Sequence, residues 1–108
     1  MTKGIKHPLI GKWRITDMEL WDAEFIDLVE PGYIQFDPDG GGHFVFGAVQ
    51  GGLHCHYGTD SIHFTWMGSD DMTEVSGDGD ADLEDDGTIT GEIRYHLGDE
   101  SSFSARRW

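Results

Sequence analysis

The chain has 108 residues, with 7 lysines and arginines against 21 aspartates and glutamates, and its formal net charge is -14. This length suits one domain with a single modest core, and we expect residues 1–108 to form it. The charge argues against direct binding to nucleic acid phosphates or to an anionic membrane, so a charged partner should be basic. Scarce lysine beside abundant aspartate is also similar to the surfaces of proteins from high-salt organisms, where acidity requires no partner.

The expected compartment follows from the apolar runs and the cysteine content. No apolar run of signal-peptide length occurs before Lys12, and nowhere do 18 apolar residues follow one another. The single cysteine, Cys55, has no partner for an intrachain disulfide, and its predicted place is the buried inner face of a strand. We therefore expect a soluble cytoplasmic protein that neither spans nor is anchored to a membrane.

Sixteen glycines and turn signals at intervals of about 8 to 12 residues predict an all-β sandwich or barrel. The first strand is expected over 11–20, with Trp13 and Ile15 facing inward. A short helical turn is expected over 21–29, because apolar side chains fall on one of its sides and carboxylates on the other. Its apolar side consists of Trp21, Phe25 and Leu28.

The next strands are expected over 33–37 and 43–50. The Gly51-Gly52 pair is predicted to form a two-residue hairpin turn, because both residues accept positive φ. The resulting cross-strand pairs are Ala48 with Cys55 and Phe46 with Tyr57.

The segment from Leu53 to Trp66 alternates strictly, and a turn at Thr59 and Asp60 makes it a hairpin with two different faces. The apolar face pairs Tyr57 with Ile62, Cys55 with Phe64 and Leu53 with Trp66. The other face carries His54, His56 and His63. Three neutral imidazoles can hold zinc with an open position for an activated water, as in a metal-dependent hydrolase or lyase. The alternative is an ordinary solvated face on the outside of a small barrel.

Strands six and seven are expected over 73–84 and 88–97, joined by a three-residue loop with Gly87 in the left-handed region. A last strand is expected over 102–108. Strand six carries an outward ladder of carboxylates, Asp78, Asp80 and Asp82, with Arg94 across from the first. The ladder does not fit a calcium-binding loop. It is either a solvated acidic edge or a docking surface for a basic partner.

Eight antiparallel strands in so short a chain predict an up-and-down barrel, whose interior holds side chains or one small ligand. Most of the expected inward side chains are aromatic, which favours a largely filled barrel. Gly77, Gly79 and Gly91 share the inner face, where they either let rings lie flat or leave a shallow pocket. The residues expected to line a site for an apolar ligand are Trp21, Phe25, Phe46, Tyr57, Trp66 and Tyr95.

The connection after the first strand places carboxylates beside large apolar groups at the barrel mouth. Such a setting can raise the pKa of a general acid, and the candidates are Glu19, Asp22 and Asp27. The alternative is that Trp21 and Phe25 plug the barrel end while these acids face water.

The Gly11-Lys12-Trp13 sequence before an all-β meander resembles the opening strand of the calycin barrels, which include lipocalins, fatty-acid-binding proteins and avidins. The resemblance implies that an arginine from a late strand, Arg106 or Arg107, stacks on Trp13. The chain is also similar to a group of short uncharacterised bacterial proteins. The shared motifs are Gly-Lys-Trp at 11–13, Met-Glu-x-Trp-Asp at 18–22 and Phe-Ile-Asp at 25–27, and they imply no function.

These observations predict a small, non-catalytic binding or interaction protein, monomeric or homodimeric. Its expected partner is a small apolar ligand or a basic protein. Two alternatives stay open: a metal-dependent enzyme with zinc at the histidine face, and an acidic inhibitor that mimics nucleic acid to bind a basic protein.

Overall fold

The computed structural model describes residues 6–108, and they form eight antiparallel strands closed into a barrel. The elements are β1 (Gly11–Met18), α1 (Ala23–Ile26), β2 (Tyr33–Phe36), β3 (Gly41–Phe46), β4 (Val49–Tyr57), β5 (Ser61–Asp70), β6 (Thr73–Leu83), β7 (Ile89–Tyr95) and β8 (Glu100–Arg107). Each strand pairs with the next along the chain, and β1 pairs with β8 to close the barrel. The predicted all-β, eight-stranded, up-and-down barrel with a short helix after the first strand is confirmed. Residues 1–5 of the expected domain lie outside the described residues.

Helix α1 is shorter than the sequence pattern predicts. It begins after Asp22, whose Oδ1 accepts a hydrogen bond from the backbone N–H of Phe25 at 3.0 Å. It ends at Asp27, whose two carboxylate oxygens accept hydrogen bonds from Arg14 at 2.8 and 2.7 Å. Within residues 6–108, no helix is long and apolar enough to cross a membrane.

The early end of α1 changes which apolar side chain is buried. Ile26 is 2% exposed, whereas Leu28 is 62% exposed. The expectation that Leu28 belongs to one apolar side with Trp21 and Phe25 is wrong, because it assumed that the helix continues through residue 29. Once Arg14 holds Asp27 in place, the chain leaves the helical path and Leu28 turns to solvent.

The turn between β3 and β4 lies at Gly47 and Ala48, four residues before the expected Gly51 and Gly52. Gly47 has a φ of 58°, and the ring of Phe25 occupies the place that a Cβ would take. The predicted pairs of Ala48 with Cys55 and Phe46 with Tyr57 are wrong, and the observed pairs are Phe46 with Val49 and Phe44 with Gly51.

The two other predicted hairpins have the expected register. Across β4 and β5 the pairs are Tyr57 with Ile62, Cys55 with Phe64 and Leu53 with Trp66. Across β6 and β7 they are Leu83 with Ile89, Ala81 with Gly91 and Gly77 with Tyr95. Gly87 takes a φ of 87°, as the three-residue loop requires.

Aromatic rings in mutual contact fill the barrel interior. The centroids of Phe44 and Trp66 lie 5.0 Å apart at a steep angle, and those of Phe36 and Phe64 lie 6.2 Å apart. The expected inward residues that are buried are Trp13, Ile15, Ile34, Phe36, Phe44, Phe46, Ile62, Phe64, Trp66, Ile89, Ile93 and Phe103. Those that are only partly buried are Tyr57, Val75, Leu83 and Tyr95. Further buried side chains come from Leu9, Met18, Ile26 and Val49.

Glycines on the inner face let these rings lie flat against the sheet. A Cβ on Gly79 would lie 2.5 Å from Cζ of Phe64, and one on Gly51 would lie 3.0 Å from both Phe44 and Trp66. These distances are too short for carbon atoms in contact. Gly79 and Gly77 therefore make room for rings, which is one of the two roles that the sequence leaves open for them, whereas a Cβ on Gly91 would meet the backbone of Asp80 and Ala81.

The two barrel ends are closed by different segments. At one end, Leu9 is buried and its carbonyl accepts a hydrogen bond from the indole of Trp13 at 2.9 Å. Arg107 lies over the Trp13 ring, 4.0 Å from its centroid, as the calycin resemblance implies. At the other end, which we call the helix end, α1 and the connections β3–β4, β5–β6 and β7–β8 meet.

Candidate functional site

Five of the six aromatic residues expected to line a ligand site lie together at the helix end. They are Trp21, Phe25, Phe46, Trp66 and Tyr95. The ring centroid of Trp21 lies 5.0 Å from that of Phe46 and 5.9 Å from that of Phe25. The connection after β1 therefore plugs this end with Trp21 and Phe25.

The plug leaves these rings in contact with one another. Phe46 is fully buried and Trp66 nearly so, and the Trp66 ring stands edge-on to that of Tyr95 at 5.2 Å. The Tyr95 hydroxyl lies 3.5 Å from Oδ2 of Asp70, and burial raises the pKa of Tyr95. An apolar ligand could enter the barrel here only by displacing side chains that already pack against each other.

Tyr57, the sixth aromatic residue of the expected site, lies at the opposite end. Its hydroxyl donates a hydrogen bond to the carbonyl oxygen of Asp37 at 3.0 Å, and its ring lies 5.2 Å from that of His7. The structure therefore does not bring Tyr57 together with the other five rings.

The three histidines lie on the outer face of the β4–β5 hairpin. His56 and His63 are directly opposite each other in the ladder. The rings of His54 and His56 stack with centroids 5.4 Å apart and planes 16° from parallel. Nε2 of His63 lies 3.3 Å from Oδ2 of Asp78 on the neighbouring strand.

This arrangement does not make a preformed metal site. Among the residues that the structure describes, no group of three or more His, Cys, Asp or Glu side chains is placed to hold a metal ion. Zinc needs its imidazole nitrogens at about 2.0–2.1 Å around one point, whereas the stacked rings of His54 and His56 run side by side. A zinc site at His54, His56 and His63 stays a hypothesis that requires their side chains to rotate.

The carboxylate ladder of β6 is partly neutralised. Arg94 lies opposite Asp78 in the register, as expected. Its guanidinium makes ion pairs with Asp78 and Asp80, both at 3.1 Å, and with Glu92 at 3.0 Å. The hydrogen bonds from Arg94 lower the pKa of Asp78. Two of the three carboxylates in the ladder are therefore paired with Arg94, and Asp82 lies outside this network. This pairing makes the ladder less suitable as a surface that imitates phosphates.

The carboxylates near α1 do not have the environment of a general acid. Hydrogen bonds from Arg14 and from the backbone N–H of Gly32 lower the pKa of Asp27 to about 2, opposite to the raised pKa that the chemistry requires. The Asp22 carboxylate caps α1. Both side chains stabilise the local chain path, and Glu19 is exposed.

An open groove of about 770 Å³ crosses the outer face of β4, β5 and β6, and we call it the β4–β6 groove. Its apolar lining comes from Leu53, Trp66 and Met67, and its polar lining from His54, Thr65, Ser76, Asp78 and His96. Trp66 itself is buried on the inner side of this wall, where its ring lies beside Gly77: a Cβ there would lie 3.1 Å from the indole nitrogen. That nitrogen donates a hydrogen bond to the carbonyl of Asp78 at 3.2 Å.

Sequence reasoning missed most of this groove. Met67 and Ser76 belong to β5 and β6, whereas His96 belongs to the β7–β8 connection, so alternation within one hairpin does not relate them. The backbone N–H of His96 bonds to the carbonyl of Ser76 at 2.8 Å, which brings the end of β7 beside β6. The available signal was an outward methionine beside glycine positions, since Met67 is 72% exposed and lies opposite Gly52.

Comparison with known proteins found no relative of this chain. No protein-family model matches the chain, and no match was found among curated proteins or solved structures.

Proposed function

We propose that this protein is a non-catalytic binding protein that holds a small, partly apolar ligand in the β4–β6 groove. The observation that carries the proposal is the contrast between the two sides of the barrel wall. The interior is occupied by the protein's own rings, whereas the outer groove is open to solvent and lined by apolar and polar groups. Ligand sites typically have volumes of about 300–1,000 Å³ and a few polar groups that orient the ligand, and the groove is in that range.

The lining suggests which chemistry the ligand has. The exposed Met67 side chain can cover an apolar or aromatic group, since thioether sulfur packs favourably against rings. His54 and His96 can donate or accept hydrogen bonds, and Asp78 favours a donor or a cation. We infer a ligand with an apolar body and at least one hydrogen-bond donor.

The calycin resemblance supports a binding role, but the place that we propose for the ligand differs from that in calycin barrels. The stacking of Arg107 on Trp13 matches what that resemblance implies. Calycin barrels enclose their ligands, but here the interior rings and the two end plugs favour the outer wall. We propose that the protein works in this way in the cytoplasm.

The test is an NMR titration of ¹⁵N-labelled protein with a library of small aromatic amines and amides. Hits should shift the amide signals of Gly52, Met67 and Ser76. The variant Met67→Ser should weaken the hits by at least about fivefold, because it removes most of the apolar contact. The matched control is Met72→Ser, which removes an exposed methionine outside the groove and should leave the affinities unchanged. Hits that shift other regions, or equal losses in both variants, would contradict the proposal.

One observation favours a second candidate, a zinc-dependent function at the histidine face. His63 already contacts Asp78, and carboxylates commonly orient metal-binding imidazoles in this way. Calorimetric titration with zinc chloride should then show one tight site that is lost in His56→Ala and kept in the control His43→Ala. Absence of stoichiometric zinc in purified protein together with no heat of binding would exclude this candidate.

A further inference from the structure

The connections at the helix end carry exposed apolar side chains. Large apolar residues at least about half exposed in this region are Leu20, Leu28, Val29, Met72 and Leu97. They belong to the connections β1–β2, β5–β6 and β7–β8, which an up-and-down barrel brings to the same end. Like the β5–β6 turn at Asp71 and Met72, the fourth connection, β3–β4, is a two-residue turn, at Gly47 and Ala48.

An open groove of about 270 Å³ lies over this short turn, and we call it the end groove. Its apolar lining includes Val29, Ala48, Val49 and Met72. The two turns are tied together, because the carbonyl of Ala48 accepts a hydrogen bond from the N–H of Asp71 at 3.1 Å. Val49 is itself buried in the core. The groove thus has an apolar lining that is continuous with the core through Val49.

The turn that presents Met72 has an unfavourable backbone for its residues. Asp71 and Met72 have φ values of 48° and 72°, a region that Asn and Gly enter far more readily than Met. The Met72 side chain is 96% exposed, so it gains little from contacts within the barrel. A strained position that holds an exposed apolar side chain points to a contact outside the chain.

The charges around the end groove select the kind of partner. Glu30 and Asp71 line the groove beside Val29 and Met72. The four connections at this end, 19–32, 47–48, 71–72 and 96–99, contain no lysine or arginine. An anionic lipid surface would be repelled, whereas a cationic segment would be attracted.

We infer that the end groove docks a cationic segment of another protein. One apolar side chain of that segment sits between Val29 and Met72, and its flanking lysines or arginines face Glu30 and Asp71. A second copy of this chain is a poor occupant, because two molecules with a net charge of -14 repel each other. This site is separate from the β4–β6 groove, so the two proposals can fail independently.

The probe is a fluorescein-labelled peptide, Gly-Lys-Arg-Leu-Arg-Lys-Gly, measured by fluorescence anisotropy with the full chain in about 0.15 M NaCl. The wild-type protein should bind it at least about tenfold more tightly than the same peptide with serine in place of leucine. Equal affinity for the two peptides would mean attraction by charge alone and would overturn the proposal.

Met72→Gly separates binding from folding. It should weaken binding of the leucine peptide about tenfold, because the apolar wall is lost. It should also raise the Tm, because glycine relieves the positive φ. The matched control is Leu97→Gly, since Leu97 is 95% exposed with a φ of 55° at the same end but does not line the groove. Unchanged binding in Met72→Gly, or an equal loss in Leu97→Gly, would overturn the proposal.

The charge contribution has its own control. The double variant Glu30→Gln with Asp71→Asn should weaken the leucine peptide about tenfold, and asparagine keeps the left-handed backbone accessible at position 71. Asp99→Asn changes a carboxylate of the β7–β8 connection outside the groove and should have little effect. Equal weakening by both variants would assign the binding to net charge. Self-association that Met72→Gly abolishes, with no peptide binding, would assign the groove to a second copy and would also overturn the proposal.

Discussion

At the scale of single residues, Arg107 combines a stacking contact with two hydrogen bonds to the backbone. Its guanidinium stacks on Trp13 and donates hydrogen bonds to the carbonyls of Ile10 and Pro8, both at 2.8 Å. Gly11 gives it room, because a Cβ there would lie 2.6 Å from Nη1 of Arg107. Gly11 has a φ of 128°, and this explains the glycine of the Gly-x-Trp sequence as a packing requirement.

We expect Arg107→Lys to lower the free energy of unfolding by about 1 to 2 kcal/mol. Lysine keeps the charge, but it has no planar group to stack on Trp13 and to bond two carbonyls together. Urea unfolding followed by tryptophan fluorescence measures the effect. The matched control is Arg106→Lys at the neighbouring exposed position, which should change stability by less than about 0.5 kcal/mol. Equal effects at both positions would contradict this role for Arg107.

Gly79 provides a second test at residue scale. We expect Gly79→Ala to destabilise the barrel by about 1 to 3 kcal/mol, because the new methyl group would collide with the Phe64 ring 2.5 Å away. Gly52→Ala is the control, since the nearest atom to its Cβ, the carbonyl oxygen of Met67, would be 3.9 Å away. Thermal unfolding of both variants checks the prediction, and a stable Gly79→Ala protein would show that the interior has spare space.

At the scale of elements, the β1–β2 connection depends on one ion pair. Asp27 bonds both terminal nitrogens of Arg14 and the N–H of Gly32 at 3.0 Å. These contacts end α1, return the chain to β2 and hold the plug at the helix end. The side chain of Asp27 is 38% exposed, so solvent screens part of the interaction.

The pKa of Asp27 makes this contribution depend on pH. Its folded-state pKa of about 2 lies below the unfolded value of about 3.9. The stabilisation is therefore present above about pH 4 and is lost as the pH falls through 2. We expect Asp27→Asn to be less stable than wild type by about 1 kcal/mol at pH 7, after allowance for exposure.

The difference between Asp27→Asn and wild type should shrink to a small part of that value at pH 2. Urea unfolding at pH 7, 4 and 2 measures it, with Asp17→Asn as an exposed control. A difference in the free energy of unfolding that stays constant over this range would show that these contacts do not lower the pKa of Asp27.

At the scale of the whole molecule, the charges are unevenly distributed. In the part of the chain that the structure describes, most basic residues lie near β1 and β8: Lys6, Lys12, Arg14, Arg106 and Arg107. The remaining one, Arg94, is surrounded by carboxylates. The hairpins β4–β5 and β6–β7 are consequently acidic, and mutual repulsion should destabilise the folded state at low salt.

We expect the Tm to rise by about 5 °C when NaCl increases from about 0.1 to 1 M. The Debye length then falls from about 10 to 3 Å, and a gain of this size corresponds to about 1 kcal/mol for a domain of about 100 residues. Differential scanning calorimetry measures it. The double variant Asp82→Asn with Asp85→Asn should gain less from salt than wild type. A Tm that falls with NaCl would show that ion pairs outweigh repulsion.

Several features of the fold were predictable because strand side chains alternate with period two. The β4–β5 register followed from strict alternation on both sides of a short turn. The predicted position of the β3–β4 turn was wrong, because adjacent glycines such as Gly51 and Gly52 are typical of turns. In the structure Gly51 lies within β4, where it makes room for Phe44 and Trp66. The inner face of β3 was still correct, since a turn moved by four residues keeps the same side of each strand inward.

The candidate sites were less predictable than the fold. Alternation placed His54, His56 and His63 on one face, but whether imidazole nitrogens converge depends on rotamers and on neighbours such as Asp78. The β4–β6 groove combines side chains from strands that are separated by turns, and the end groove combines residues of the β1–β2, β3–β4 and β5–β6 connections. Neither property is encoded in the pattern of a single segment.

The amino-acid sequence by itself determined which side of each strand faces inward and how acidic the surface is, because period-two alternation and formal charge are local properties. Only the tertiary structure decided whether the barrel has space for a ligand. That outcome depends on how rings from distant strands meet the glycines opposite them, as Phe64 meets Gly79. The same packing closes the interior, and the two grooves for which we propose binding lie on the outside of the barrel.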